Sequence, residues 1–263
     1  MEKVASKDGT IIAFEQSGDG PPLVLVHGTS GTYSRWAPIL PDLRKHFTVY
    51  AVERRGRGES GDGATPYAIE REFEDVAAVV DSIREPVDLF GHSYGGICAL
   101  EAALLTDNIV KLVLYEPPIL SQDVEPNSDD LASRLQAMLD VGDREGILMT
   151  FMRDAVRMPL SEIETSRSMP VWNARVAAAH TLPREVRARA GYRFEAERFK
   201  DLTVPTLLLL GGDSPDPLRR AARTLATVLP NSRTGVLPGQ RHVAMETAPD
   251  LLVKELLIFL LNK

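Results

Sequence analysis

Val87-Asp88-Leu89-Phe90-Gly91-His92-Ser93-Tyr94-Gly95-Gly96 is the stretch on which the reading of this chain turns. A short apolar run, 87–90, is followed by Gly-x-Ser-x-Gly and then by a helical pattern from Tyr94 to Leu105. A serine in that place sits on a sharp strand-to-helix turn, and the flanking glycines are needed because a Cβ would collide with the neighbouring strand and helix. The turn lifts the hydroxyl above the sheet edge and aims a helix N-terminus at the point where negative charge develops. Ser93 is therefore a candidate nucleophile. In a chain with 19 glycines the string alone is weak evidence, and the strand before it and the helix after it give it meaning.

Working outward, apolar runs at 23–26, 48–52, 87–90 and 111–115 alternate with helical patterns, among them an amphipathic stripe of Phe73, Val76, Ala77, Val80 and Ile83. Thr10-Ile11-Ile12-Ala13-Phe14-Glu15 follows an Asp8-Gly9 turn signal and reads as part of an N-terminal hairpin. Strands apolar throughout and separated by helices predict a parallel sheet covered on both faces. From 119 to 200 helical patterns continue without a strand; strands return at 204–210 and 234–237, and a helix closes the chain. The expected organisation is an α/β core of residues 1–118 and 201–263. A helical lid of residues 119–200 is inserted after the sixth strand, over the sheet edge where open α/β folds place ligands.

The bulk numbers are compatible with one such domain. The chain has 263 residues, 44% hydrophobic and 25% charged, with a net charge of −7 and no long basic run, which argues against a nucleic-acid partner. Cys98 is its one cysteine, so no intrachain disulfide is expected. The first residues lack the apolar stretch of a signal peptide, and the apolar segment 251–261 is too short to span a bilayer. A cytoplasmic protein without membrane association is the expectation. Neither a metal-ligand set nor a nucleotide-binding glycine loop is visible, so no metal and no cofactor are expected.

Beside the elbow stand His27-Gly28-Thr29-Ser30-Gly31 and Arg55-Gly56-Arg57-Gly58-Glu59-Ser60, each after a predicted strand. With these motifs the chain resembles the α/β-hydrolase superfamily over nearly its whole length. The resemblance implies a mostly parallel eight-stranded sheet flanked by helices, with an oxyanion hole from the backbone amides of Thr29 and Tyr94 and with Gly28 binding substrate beside it. It also implies a base on the loop after the last strand. Of the five histidines (His27, His46, His92, His180 and His242), only His242 lies there, and Ser before His is the superfamily's order. His27 ends a buried strand and reads as a loop-fixing residue, His92 as structural, His46 as a surface residue. His180 falls in the lid and is a weaker candidate for facing substrate.

The acid that would orient His242 is left open between two loops. The commoner site follows the seventh strand, where the usual aspartate position holds Ser214, with Asp213 one residue early and Asp216 two late. The other ends the sixth strand, where Glu116 is followed by Pro117-Pro118, two prolines that stiffen the turn and fix where its carboxylate points. Glu116 is favoured, with Asp213 as the alternative and Asp216 behind it.

Five of the seven methionines (Met138, Met149, Met152, Met158 and Met169) fall in the inserted segment, which suits a pliable apolar roof. Met169-Pro170-Val171-Trp172-Asn173 with Leu182-Pro183 is similar to the lid of the zearalenone-type lactone hydrolases, which also take their acid after strand six. On that likeness Trp172 would be an aromatic wall for a ring substrate, and Met152 and Met169 would bind it. The expected activity is hydrolysis of a small, apolar carboxylic ester or lactone by a serine esterase or lactonase. Rival readings on the same fold are C–C bond hydrolysis, perhydrolysis, or a ligand receptor with residual hydrolysis. Epoxide and haloalkane enzymes of this fold use an aspartate nucleophile, which Ser93 argues against. The sequence carries no sign of the oligomeric state.

Overall fold

A computed structural model of the chain describes residues 1–63, 66–119 and 128–262. Among these residues eight strands form one sheet: β1 (Glu2–Ala5), β2 (Ile11–Ser17), β3 (Pro22–Val26), β4 (Thr48–Glu53), β5 (Val87–His92), β6 (Ile109–Tyr115), β7 (Thr206–Gly211) and β8 (Ser232–Leu237). The spatial order is β1-β2-β4-β3-β5-β6-β7-β8. The pairs β1–β2 and β2–β4 are antiparallel, and every pair from β4–β3 to β7–β8 is parallel. β3 and β5 are buried along their whole length, as apolar central strands covered on both faces must be.

The helices are α1 (Leu40–Leu43), α2 (Ile69–Ser82), α3 (Tyr94–Ala102), α4 (Ser128–Asp140), α5 (Arg144–Thr150), α6 (Leu160–Arg167), α7 (Trp172–Ala178), α8 (Leu182–Gly191), α9 (Asp216–Val228), α10 (Ala244–Thr247) and α11 (Pro249–Leu260). One face of the sheet packs on the apolar stripe of α2 and on α3 and α9, the other on Trp36, Leu43 and α11. All five stripe residues of the α2 region are buried. No helix among the described residues is long and apolar enough to cross a membrane.

Between β6 and β7 the described residues 128–200 contain helices and no strand. They bury a separate apolar cluster that includes Leu135, Ile147, Leu148, Met152, Trp172 and Leu182. The predicted lid boundary at 119 adjoins residues 120–127, which lie outside the described residues. Glu185 of α8 joins this layer to the core: it is fully buried and ion-paired to Arg57 at 2.5 Å and to Arg54 at 3.3 Å. Arg54 in turn meets Glu72 of α2 at 2.7 Å. A buried carboxylate between two guanidiniums has its charge compensated on the spot, which offsets the cost of removing it from water.

Candidate active site

Ser93 stands between β5 and α3 with φ 55° and ψ −123°, a backbone conformation rare outside glycine. The strain is held by close packing. A Cβ on Gly91 would lie 2.4 Å from the Gly95 carbonyl, and one on Gly95 would lie 2.3 Å from the Val26 carbonyl. The Ser93 N–H donates to the Tyr115 carbonyl at 2.9 Å, and its own carbonyl accepts the Gly96 and Ile97 N–H groups of α3. The hydroxyl therefore projects above the edge where β3, β5 and β6 end.

His242 follows β8, and its Nε2 lies 2.9 Å from Ser93 Oγ. Its Nδ1 lies 2.6 Å from Glu116 Oε2. An ionised carboxylate only accepts, so Nδ1–H is the donor and Nε2 is left free to accept the serine proton. Glu116 is buried at the end of β6, with φ 49° just before Pro117-Pro118. Its other oxygen, Oε1, accepts the Gly211 N–H at 2.7 Å, which locks the carboxylate between the ends of β6 and β7. Of the three acids left open by the sequence, Glu116 is the one that meets His242. Asp213 is exposed, and Asp216 is exposed and paired with Arg220 and Arg223. Ser214 is buried with its hydroxyl unpartnered among the described residues.

The loop carrying His242 is clamped on both flanks. The Tyr115 hydroxyl donates to the Arg241 carbonyl and accepts the Ala244 N–H at 3.2 Å. The His92 Nε2–H donates to the His242 carbonyl at 2.8 Å, and the two rings lie 4.7 Å apart. Burial, with His242 and Arg35 nearby, holds the His92 imidazole well below its ordinary pKa, so it is neutral. The sequence reads His92 as structural, and its contact is with the site itself. It touches the His242 backbone because the loop after β8 runs back across the sheet edge to the end of β5, and no pattern in the sequence signals that meeting.

Local structure fixes the Tyr94 and Thr29 backbone amides on either side of Ser93 in the chain. Tyr94 opens α3, so its N–H has no partner within the helix. The Gly28–Thr29 peptide is fixed from its carbonyl side, where His27 Nδ1–H at 2.9 Å and the Gly31 N–H at 3.1 Å both donate to the Gly28 oxygen. In a trans peptide the Thr29 N–H points the opposite way. Burial and the Arg57 and Arg54 charges keep His27 neutral, as this single-donor role requires. Arg57 Nη2 adds a bond to the Thr29 carbonyl at 2.6 Å. His27 thus orients the loop; it is fully buried, and its ring nitrogens bond the Gly28 carbonyl and the Arg54 N–H.

Two cavities meet at Ser93, Thr29 and His242. The larger, about 170 Å³, has apolar walls from Ile119, Phe151, Val156, Met158, Val186 and Leu218. The smaller, about 30 Å³, is lined by Gly28, Met152, Arg35 and Arg175 among others. A π-helical turn, Phe151–Ala155, supplies Phe151 to both. Such turns insert an extra residue and re-aim side chains.

Two lid expectations need correction. Trp172 lines neither cavity: it is 7% exposed within the lid's own apolar cluster, with Nε1–H donating to Glu145 at 3.2 Å. Met169 also lies outside both linings and offers its carbonyl to the Trp172 N–H at the start of α7. In a short amphipathic helix, a residue facing the lid's interior and one facing a cavity give the same sequence pattern. Gly28 and Met152 do line the smaller cavity. His180 bonds the Ala177 carbonyl and His46 is exposed, both away from the site.

Residues 23–255 match the Alpha/beta hydrolase family. The chain belongs to that family. An alpha/beta hydrolase from Sphaerobacter thermophilus is 39% identical, with 98% of this chain and 100% of that one aligned at a TM-score of 0.85. The esterase RhEst1 from Rhodococcus sp. ECU1013 is 26% identical, covering 99% and 98%, with a TM-score of 0.78. The 2-(acetamidomethylene)succinate hydrolase of Mesorhizobium japonicum is 24% identical over 93% of this chain and 90% of its own. Within the alpha/beta hydrolase family, then, this member presents a serine, a histidine and a glutamate in hydrogen-bond sequence beneath a helical layer.

Proposed function

We propose that this alpha/beta hydrolase cleaves a carboxylic ester or lactone through an acyl-enzyme on Ser93. The observation that carries the reading is the chain of contacts Glu116–His242–Ser93, at 2.6 and 2.9 Å, at the junction of two cavities. His242 Nε2 takes the proton as Ser93 Oγ attacks the carbonyl carbon, and Glu116 stabilises the resulting imidazolium. The Thr29 and Tyr94 amides donate to the oxyanion, and loss of one such donor costs roughly 10²–10³ in rate. His242 then returns the proton to the departing alcohol oxygen, and water repeats the sequence to release the acid. The apolar walls of the larger cavity favour an apolar group on one side of the scissile bond. The esterase name of one relative agrees with ester cleavage.

The test uses p-nitrophenyl butyrate and a fluorophosphonate. Wild type should turn over the ester and gain one phosphonyl adduct, whereas Ser93→Ala should remain folded, take up none and lose about 10³–10⁶ in rate. An adduct on another residue, or an active Ser93→Ala protein, overturns the reading.

A further inference from the structure

The smaller cavity contains an electrostatic imbalance that the Ser93 chemistry does not use. Arg175 of α7 is 3% exposed and Arg35 is 6% exposed, and both line this cavity beside Ser93. Arg175 donates through Nε to the Ser30 carbonyl at 3.1 Å, through Nη2 to Ser30 Oγ at 2.8 Å and through Nη1 to Ser166 Oγ at 2.7 Å. All three acceptors are neutral. With five N–H donors on a guanidinium, two remain. Arg35 pairs with Glu246 at 3.2 Å, while its buried Nε has no partner among the described residues. Two guanidiniums thus share one carboxylate.

Other buried arginines of this protein are treated differently. Arg54 meets Glu72 at 2.7 Å, Arg55 meets Asp75 at 2.6 Å and Arg57 meets Glu185 at 2.5 Å. Burial, together with the Arg35 charge, presses Arg175 down to about 9, against the pull of Glu246. It remains a cation at neutral pH. An uncompensated buried cation is costly, and an apolar side chain would fill the same place without that cost. The arrangement makes physical sense if an anion completes it. The cavity, about 30 Å³, exceeds the roughly 10–15 Å³ that one water needs and is far too small for a ring. A planar guanidinium fork matches a carboxylate.

We propose that Arg35 and Arg175 form a carboxylate subsite, so that the smaller part of the substrate carries a carboxylate while its apolar part occupies the larger cavity. The substrate class is then a half-ester of a short dicarboxylic acid or a lactone bearing a carboxylate; the reaction, though not the binding, rests on the ester reading above.

Two measurements test it. By calorimetry, succinate and glutarate should bind wild type and Ser93→Ala alike, succinamide should bind far more weakly, and Arg175→Met should lose about 10–100-fold in dicarboxylate affinity. In kinetics, 4-nitrophenyl hydrogen succinate is compared with 4-nitrophenyl butyrate, whose nitrophenyl group fits only the larger cavity. The ratio of their kcat/KM values should favour the anionic ester in wild type and fall about 10–100-fold in Arg175→Met. Melting curves establish folding, and if Arg175→Met unfolds, Arg175→Lys carries the test, since it keeps the charge but loses the fork. Ser93-dependent hydrolysis with an unchanged ratio, and succinate bound no better than succinamide, overturns the subsite and leaves the ester reading standing. Arg175-dependent succinate binding without hydrolysis of either ester sinks the ester reading and supports the subsite.

Discussion

The His92 Nε2–H donates to the carbonyl oxygen of His242 across 2.8 Å, so the last residue of β5 holds the backbone of the histidine whose imidazole meets the very next residue. Losing that bond should let His242 drift relative to Ser93, and displacements of about 1 Å can cost on the order of 10² in rate. His92→Ala should therefore lower kcat about 10–100-fold with a smaller change in KM. His92→Gln, whose amide can donate to the same carbonyl, should recover most of the loss. Equal losses in both variants would show that the imidazole acts by another route.

Glu116→Gln preserves shape but removes the charge facing His242 Nδ1, and the rate should fall by roughly 10⁴. Asp213→Asn should cost less than about tenfold, because an exposed carboxylate acts on the histidine only through screened electrostatics. Steady-state kinetics on both proteins, with melting curves to establish folding, check the ranking. The opposite order would place the acid after β7.

Trp172→Ala should behave as a core truncation in the lid, costing about 3–5 kcal/mol of stability. The ratio of kcat/KM between a bulky aromatic ester and an acetate should stay within about twofold, since the indole contributes no cavity wall. A selective rise in KM for the bulky ester would return Trp172 to the substrate.

The buried histidines give stability a defined pH dependence. His27 and His92 stay neutral in the fold, held well below the ordinary value of 6.5. The unfolded chain binds their protons first, so their contribution is complete above about pH 6.5 and is lost below it by up to about 1.4 kcal/mol per pH unit for each. Burial works the other way on carboxyl groups: Glu53 is raised to about 7, and Asp75 and Asp88 to about 6. They protonate first in the fold, and their contribution is lost as pH rises through those values. Comparing wild type with His92→Gln cancels the carboxyl groups. Between pH 6 and 5 the variant should lose less stability, or gain more, by up to about 1.4 kcal/mol, read from denaturant melts. Coincident slopes would mean that His92 titrates within the fold.

These residues also show what the sequence can carry. The elbow is legible because its close packing forces glycine at 91 and 95, and a steric demand of that kind leaves a mark within five residues. Glu116 is legible because Pro117-Pro118 mark the end of a strand. His92, Tyr115, Arg57 and Arg175 are not, because each acts on a residue 28 to 150 positions away and nothing local announces the partner. Trp172 misleads for the opposite reason: its local pattern suits a cavity wall and a packed lid equally, and tertiary packing decides.

Glu185 bears on how this scaffold could be re-engineered. The helical layer is the natural part to exchange when a different specificity is wanted, yet one of its side chains is the counter-ion of Arg57, and Arg57 also grips the Thr29 carbonyl. A transplanted roof lacking an acid at that place would strand Arg57 in the interior and leave Arg54 with Glu72 alone, and the disturbance would travel through Arg57 to the Thr29 peptide. Chimeras should therefore carry position 185 along with Arg54 and Arg57 as one inherited unit.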